Sequence, residues 1–323
     1  MMARTARRLW PYIEIARVDH WFKQSFMVLG FVLAAFYRPE TLSWAVVPTL
    51  ALAVFATCLV ASSNYVLNEL LDAPSDALHP QKRSRPVPSG RVNRRVGYVE
   101  WLLLAAIGLS LAAQINLPFA ASAMLLWLMG IIYNVPPIRA KEVPYVDVLT
   151  EAINNPIRLL LGWFAVLHDL LPPVSLLISY WMLGAFFMAV KRYAESRHIA
   201  DARVAAAYRR SFAYYTEERL LVSVLFYATA CALFGGIFIV RYHLELILFT
   251  PLAAGLFAQY LRLGLMADSP AQNPERLYRQ RGFVTYVVVC FVVFVVLMFT
   301  SIPVLYRWFN VEPSSTPTLW HLE

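Results

Sequence analysis

The chain has 323 residues, of which 59% are hydrophobic and only 15% charged, with a mean hydropathy of +0.56. Soluble domains are about half apolar and about a quarter charged, so this composition excludes one and indicates a polytopic membrane protein. The net charge of +8 follows from membrane topology, as shown below, and needs no nucleic-acid partner.

Residues 4–23 carry Arg4, Arg7, Arg8, Trp10, Tyr12, Ile13 and Ile15. They lack the apolar core and small-residue cleavage site of a signal peptide, and read as a basic, aromatic interfacial helix. Hydropathy then predicts nine spans, at about 24–37, 44–67, 96–115, 118–135, 146–167, 173–193, 220–240, 244–266 and 283–305. Asn116-Leu117-Pro118 forms a tight turn between the third and fourth. Residues 306–323 read as a short non-cytoplasmic tail, and 1–323 as a single transmembrane domain with residues 1–23 as its interfacial start.

With the N-terminus inside, 24 of the 28 lysines and arginines fall in inner segments 1–23, 82–95, 139–141, 191–219 and 262–281. Arg38, Arg241 and Arg307 remain outside, and Arg158 lies within a span. Every short loop therefore obeys the positive-inside rule. The chain reads as an integral protein of the cytoplasmic (inner) membrane, with its polar clusters on the cytoplasmic side and an attraction to anionic lipid.

Polar groups at membrane depth are costly, so each cluster is a functional candidate. Arg17, Asp19, Trp21 and Lys23 stand at the mouth of the first span, as snorkelling anchors or as a phosphate contact. At the end of the second span come Asn68, Asp72 and Asp76, an oxygen-ligand set that suits a hard divalent cation such as magnesium. Pro74 is expected to end or kink the helix near Asp72, leaving Asp76 to reach the ligand from a loop. The run His79-Pro80-Gln81-Lys82-Arg83-Ser84-Arg85 follows at once, offering Lys82, Arg83 and Arg85 to phosphate oxygens. Acidic and basic groups side by side indicate a metal–diphosphate site; a solvated helix end is the plainer account.

Tyr133-Asn134-Val135-Pro136-Pro137-Ile138-Arg139-Ala140-Lys141 is either a rigid inner loop presenting two cations or a Pro-rich connector. In the fifth span, Asp147, Glu151, Asn154, Asn155 and Arg158 draw a polar stripe along one helix face. Arg158 is expected to point into a cavity, paired or bound to an anion; a purely structural network is the alternative. Lys191-Arg192-Tyr193-Ala194-Glu195 closes the sixth span with two cations and a carboxylate, read either as a site or as an i,i+4 pair on a basic flank. Tyr208–Tyr215 reads as an interfacial helix. Cys58, Cys231 and Cys290 lie in apolar spans as packing residues. Glycine-rich phosphate loops, Cys/His metal spacing and a serine nucleophile elbow are missing from the sequence. A transporter would be expected to repeat its halves and place polar groups near the bilayer midplane.

At these residues the sequence resembles the UbiA superfamily of intramembrane prenyltransferases, through Asn68-x-x-x-Asp72-x-x-x-Asp76, Lys82-Arg83-x-Arg85-Pro86 and Tyr133-Asn-x-Pro-Pro-x-Arg139. The resemblance covers essentially the whole chain. Where the common pattern has a second Asp-x-x-x-Asp, this chain has Lys191-Arg192-Tyr193-Ala194-Glu195, which looks like the polyprenyl-phosphate phosphoribosyltransferase branch (decaprenyl-phosphate phosphoribosyltransferases). Arg17-x-x-x-Trp21-x-Lys23, the Asp147-to-Arg158 spacing and Tyr215-Thr216 are similar to that branch too. Two features depart from it: Glu69 stands where the branch has Asp, and Pro136-Pro137 looks more like prenylquinone and chlorophyll-type enzymes.

The resemblance implies an all-α fold of about nine transmembrane helices around a central cavity. It implies magnesium at Asn68, Asp72 and Asp76, a diphosphate-bearing donor and a polyprenyl phosphate or diphosphate lipid. In the phosphoribosyl reading, Lys191 and Arg192 hold the donor's 5-phosphate, with Tyr193 and Glu195 beside them, while Arg158 and Lys23 meet the lipid phosphate. In the prenyl reading the diphosphate belongs to the lipid, and Glu151 or Glu195 is available as a base. Arg17, Lys82, Arg83, Arg85, Tyr133, Arg139, Lys141, Asp147 and Asn155 are expected to contact substrate in either case. A non-enzymatic lipid or solute transporter is the lesser alternative.

Overall fold

The predicted spans fall mostly on helices in the computed structural model, which describes residues 2–77, 82–198, 209–272, 277, 279–312 and 319–322. Backbone groups within lipid must bond internally, and apolar runs of this length do so as helices. Among the described residues there are no strands, only an isolated bridge between Leu170 and His321. Contacts divide the chain into two compact units, Met1–Thr150 with Ile157–His168, and Glu151–Pro156 with Asp169–Glu323.

The first unit begins with α1 (Met2–Ile15) and a 3₁₀ segment, Val18–Phe26, leading into α2 (Met27–Tyr37). The long α3 (Val47–Asp76) packs against α4 (Arg94–Ala113) and α5 (Leu117–Asn134). Asn116 caps α5 by accepting from the Phe119 amide at 2.8 Å, which fixes the predicted turn. Ile15 and Ala16 bury against Val66, Leu70, Ala73, Val87 and Val92, so the end of α1 is seated on the C-terminal half of α3. Next come α6 (Val146–Ala152) and α7 (Asn154–Phe164). Gly30 and Gly162 let α2 and α7 approach backbone to backbone: a Cβ on Gly30 would strike the Leu159 carbonyl, and one on Gly162 the Met27 carbonyl.

The second unit holds α8 (Val174–His198), α9 (Glu217–Tyr242), α10 (Thr250–Leu265), α11 (Arg281–Met298) and α12 (Pro303–Trp308). Packing of α8 on α9 dominates it. The described end of the chain returns to this unit: Leu171 N donates to Trp320 O and Leu322 N to Asp169 O, both at 2.9 Å.

Seven helical stretches among the described residues are long and apolar enough to cross a bilayer. The first and fifth predicted spans are built in shorter pieces. The first is the 3₁₀ segment plus the eleven-residue α2. The fifth breaks between α6 and α7, so the continuous polar stripe expected over Asp147–Arg158 is not formed. Pro156 has no N–H for the Ala152 carbonyl, and Asn154 Nδ2 bonds the Glu151 carbonyl at 3.0 Å instead of continuing the helix.

Pro74 corrects the expectation in the other direction. α3 runs through it to Asp76, so Asp76 is a helix residue and not a loop ligand. The interfacial helix expected from Tyr208 is, where described, a 3₁₀ turn over Arg210–Ala213. Tyr208 itself, His79, Pro80, Gln81, the side chains of Arg4, Arg7 and Arg8, and most of the 306–323 tail beyond Glu312 lie outside the described residues.

Candidate active site

Four-residue spacing on a helix stacks Asn68, Asp72 and Asp76 on one face of α3. Each acidic member is met by a base. Lys141 Nζ and, at 3.2 Å, Arg139 Nη2 donate to Asp72 Oδ1. Arg85 Nη1 lies 2.5 Å from Asp76 Oδ2. Asn68 Nδ2 donates to Asn134 Oδ1 at 2.6 Å, and the same oxygen accepts from Lys141 Nζ at 2.8 Å. Asn134, buried at the C-terminal end of α5, is thereby the hub between the acidic stripe and Lys141. Its one sequence signal is an amide ending an otherwise apolar span.

The basic partners come from two loops, one after α3 and one after α5. Arg139 has a left-handed backbone (φ 33°), a conformation unfavourable for a side chain with a Cβ, and its Nε also pairs with Glu142 at 2.6 Å. Lys141 is buried, 5.9 Å from the centroid of the Tyr133 ring. The loop carrying Lys82, Arg83 and Arg85 is pinned by Glu69, whose buried Oε1 accepts from the Val87 amide at 3.1 Å. Lys82 is half-buried and Arg83 exposed. Arg17 also has a left-handed backbone (φ 49°); burial first, then the nearby Arg85, pushes its guanidinium below the ordinary arginine value.

A second polar group in this unit is built around Arg158, whose Nε donates to Gln24 Oε1 at 3.0 Å. Gln24 Nε2 is buried with no hydrogen-bond partner among the described residues. Lys23 Nζ contacts His20 Nδ1 at 3.1 Å and stands over the Tyr65 ring. Asp147 is fully buried. Gln24 was another residue the sequence did not single out.

In the second unit Arg192 is 1% exposed, held between Glu195 Oε2 at 2.8 Å and Glu151 Oε2 at 2.9 Å. Arg192 thus joins the fifth-span residue Glu151 to the sixth-span block, a meeting that the local sequence patterns do not disclose. Arg192 is committed to carboxylates, whereas Lys191, one fifth exposed, lies a looser 3.9 Å from Glu195. Tyr193 turns elsewhere, its hydroxyl donating to Glu217 at 3.4 Å. Asn155 packs where Gly184 leaves room for it.

The donor set on α3 fits a hard cation. It offers two carboxylates and an amide, and each carboxylate has one oxygen that takes no partner among the described residues. No cluster of three His, Cys, Asp or Glu side chains is found among those residues, so Asn68 would have to complete the set.

Residues 25–287 match the family model described as the UbiA prenyltransferase family. The chain belongs to this family. It is an integral membrane transferase with the all-helical UbiA fold. Over 235 residues it is 29% identical to the decaprenyl-phosphate phosphoribosyltransferase of Mycolicibacterium smegmatis, covering 70% of this chain and 69% of that protein. It is 31% identical over 189 residues to the protein of the same name from Mycobacterium tuberculosis, covering 58% of this chain and 60% of that one. Among solved structures, a UbiA homolog from Archaeoglobus fulgidus bound to GPP and Mg2+ superposes with a TM-score of 0.67 at 16% identity, over 90% of this chain and 98% of the other.

Proposed function

We propose that this transferase carries a 5-phosphoribosyl group from phosphoribosyl pyrophosphate to a polyprenyl phosphate, releasing pyrophosphate. The observation that carries the reading is the interleaving on α3: Asp72 and Asp76 on one face, each touching a base that can turn to a phosphate. Likeness to the mycobacterial phosphoribosyltransferases supports the choice of donor.

Asn68, Asp72 and Asp76 would hold magnesium, which supplies Lewis acidity and charge neutralisation at the diphosphate leaving group. Arg85, Arg139 and Lys141 would bind the diphosphate oxygens, with Arg17, Lys82 and Arg83 adding positive potential at the same inner rim. In the transfer, an oxygen of the lipid phosphate forms a bond to the ribosyl C1 while the C1–O bond to pyrophosphate breaks. Charge develops as that bond opens, and fixed cations beside the leaving oxygen stabilise it. The attacking phosphate is ionised at neutral pH, so no side chain has to remove a proton. Arg158 and Lys23 would meet the lipid phosphate. The donor's own 5-phosphate falls to Lys191, because Arg192 is occupied by Glu151 and Glu195; Arg192 is a positioning residue in this scheme. The distribution of basic residues supports an active face on the cytoplasmic side of the inner membrane.

A specific observation favours a second reading, transfer of a polyprenyl group from its diphosphate to an aromatic or other small acceptor. Glu151 and Glu195 come together on Arg192, with Lys191 3.9 Å from Glu195, and such an acceptor needs a base where a phosphate does not. Incubating the purified protein with magnesium and either polyprenyl phosphate plus labelled phosphoribosyl pyrophosphate, or a small aromatic acceptor plus labelled prenyl diphosphate, separates the two. Label from phosphoribosyl pyrophosphate in the lipid phase is the expected result; label leaving only the prenyl diphosphate overturns it.

A further inference from the structure

The direct ion pairs on the acidic stripe are matched in charge. Asp72, Asp76 and Glu142 carry three negative charges, and Lys141, Arg139 and Arg85, in direct contact with them, carry three positive ones. Two of the pairs are largely sheltered from water: the Lys141 side chain is 5% exposed and that of Asp76 3%. A bare divalent cation entering here adds two positive charges next to a buried ammonium, where screening is weak. A cation arriving with a diphosphate adds at least as much negative charge as positive, and gives that ammonium a new acceptor.

We infer that divalent metal and diphosphate bind this site as a coupled pair, and that Lys141 enforces the coupling by occupying Asp72 until a diphosphate draws it away. The inference rests on the assignment of the stripe as the metal–diphosphate site and adds the order in which that site fills. Asn134 is the positioning residue. Its Oδ1 accepts from Asn68 and from Lys141, and its Nδ2 donates to the Gly130 carbonyl at 2.8 Å, so its amide has one orientation and holds the ammonium at the stripe. Arg139 acts on the same oxygen more weakly, because its guanidinium is divided between Asp72 and Glu142.

The test is Mn2+ binding to the purified full chain in detergent, followed by electron paramagnetic resonance with and without inorganic pyrophosphate, with the metal–pyrophosphate complex in solution subtracted. Wild type should bind Mn2+ weakly alone and roughly tenfold or more tightly with pyrophosphate, within the usual range of coupling between two ligands. Lys141→Gln should bind Mn2+ alone roughly tenfold more tightly than wild type and gain less from pyrophosphate. Equal Mn2+ affinity of the two proteins, with an equal gain from pyrophosphate, overturns the inference while leaving the metal site standing. No Mn2+ binding under any condition overturns the assignment of the stripe and the inference with it. Should Lys141→Gln not fold, Arg139→Gln, which contacts the same oxygen from a more exposed position, must shift Mn2+ affinity in the same direction.

Discussion

Arg94 Nη2 donates to the Leu70 carbonyl at 3.1 Å, and that carbonyl is the one Pro74, having no N–H, cannot bond. A guanidinium from the start of α4 thus repairs the helix ladder of α3 and lets it carry Asp76 in register with Asp72 and Asn68. Among the described residues no donor of this kind meets the Ala152 carbonyl that Pro156 leaves open, and the chain breaks into α6 and α7 just before it. Two prolines of the same chemistry end differently because only one has a donor waiting.

Arg94→Met should therefore destabilise the protein by about 1.5–3 kcal/mol, the scale of a hydrogen bond to a charged group, and lower turnover by misplacing Asp76. Pro74→Ala restores the N–H, so in that background Arg94→Met should cost much less. Thermal unfolding in detergent of the two single variants and the double variant measures the coupling. Additive losses would show that Arg94 does not act through the proline.

Glu69 holds the loop of Lys82, Arg83 and Arg85 through the Val87 amide. Glu69→Ala should expose residues 82–92 to limited proteolysis and raise the donor KM several-fold, with a stability loss of about 1–3 kcal/mol for the stranded amide. Unchanged cleavage in that loop would remove the pinning role. The same contact accounts for a glutamate at this position, since its side chain has to reach a loop amide.

The two cations of the sixth-span block should behave differently on substitution. Arg192→Ala leaves Glu151 and Glu195 without their shared guanidinium and should cost about 2–4 kcal/mol, toward the lower figure because Glu151 is about a third exposed. Lys191→Ala should leave thermal stability nearly unchanged and raise KM for phosphoribosyl pyrophosphate. A Lys191→Ala protein with unaltered donor KM would take the 5-phosphate away from this residue.

The acidic stripe, the basic run after it and the apolar periodicity were legible in the sequence because each is a local pattern. Partners brought together by folding were not. Lys141 reaches Asp72 across 69 positions, and Arg94 reaches Leu70 across 24. Nothing in the order Lys191-Arg192 tells which side chain is buried; Glu151, 41 positions away, decides that. Asn134 was in view within a quoted motif, yet its role depends on two donors from other segments meeting one oxygen. The break at Ile153 has a related cause: a polar stripe at helical spacing predicts a face, and Pro156 removes the continuous helix that would carry it.

The most direct measurement is pyrophosphate release by the protein in proteoliposomes, with polyprenyl phosphate and phosphoribosyl pyrophosphate, across a magnesium titration and for Asp72→Asn. Release should need magnesium and both substrates, and should fall by about a hundredfold or more in Asp72→Asn, which corresponds to at least about 2.7 kcal/mol of lost transition-state stabilisation. Release that persists in a metal chelator, or at the wild-type rate in Asp72→Asn, would contradict the account.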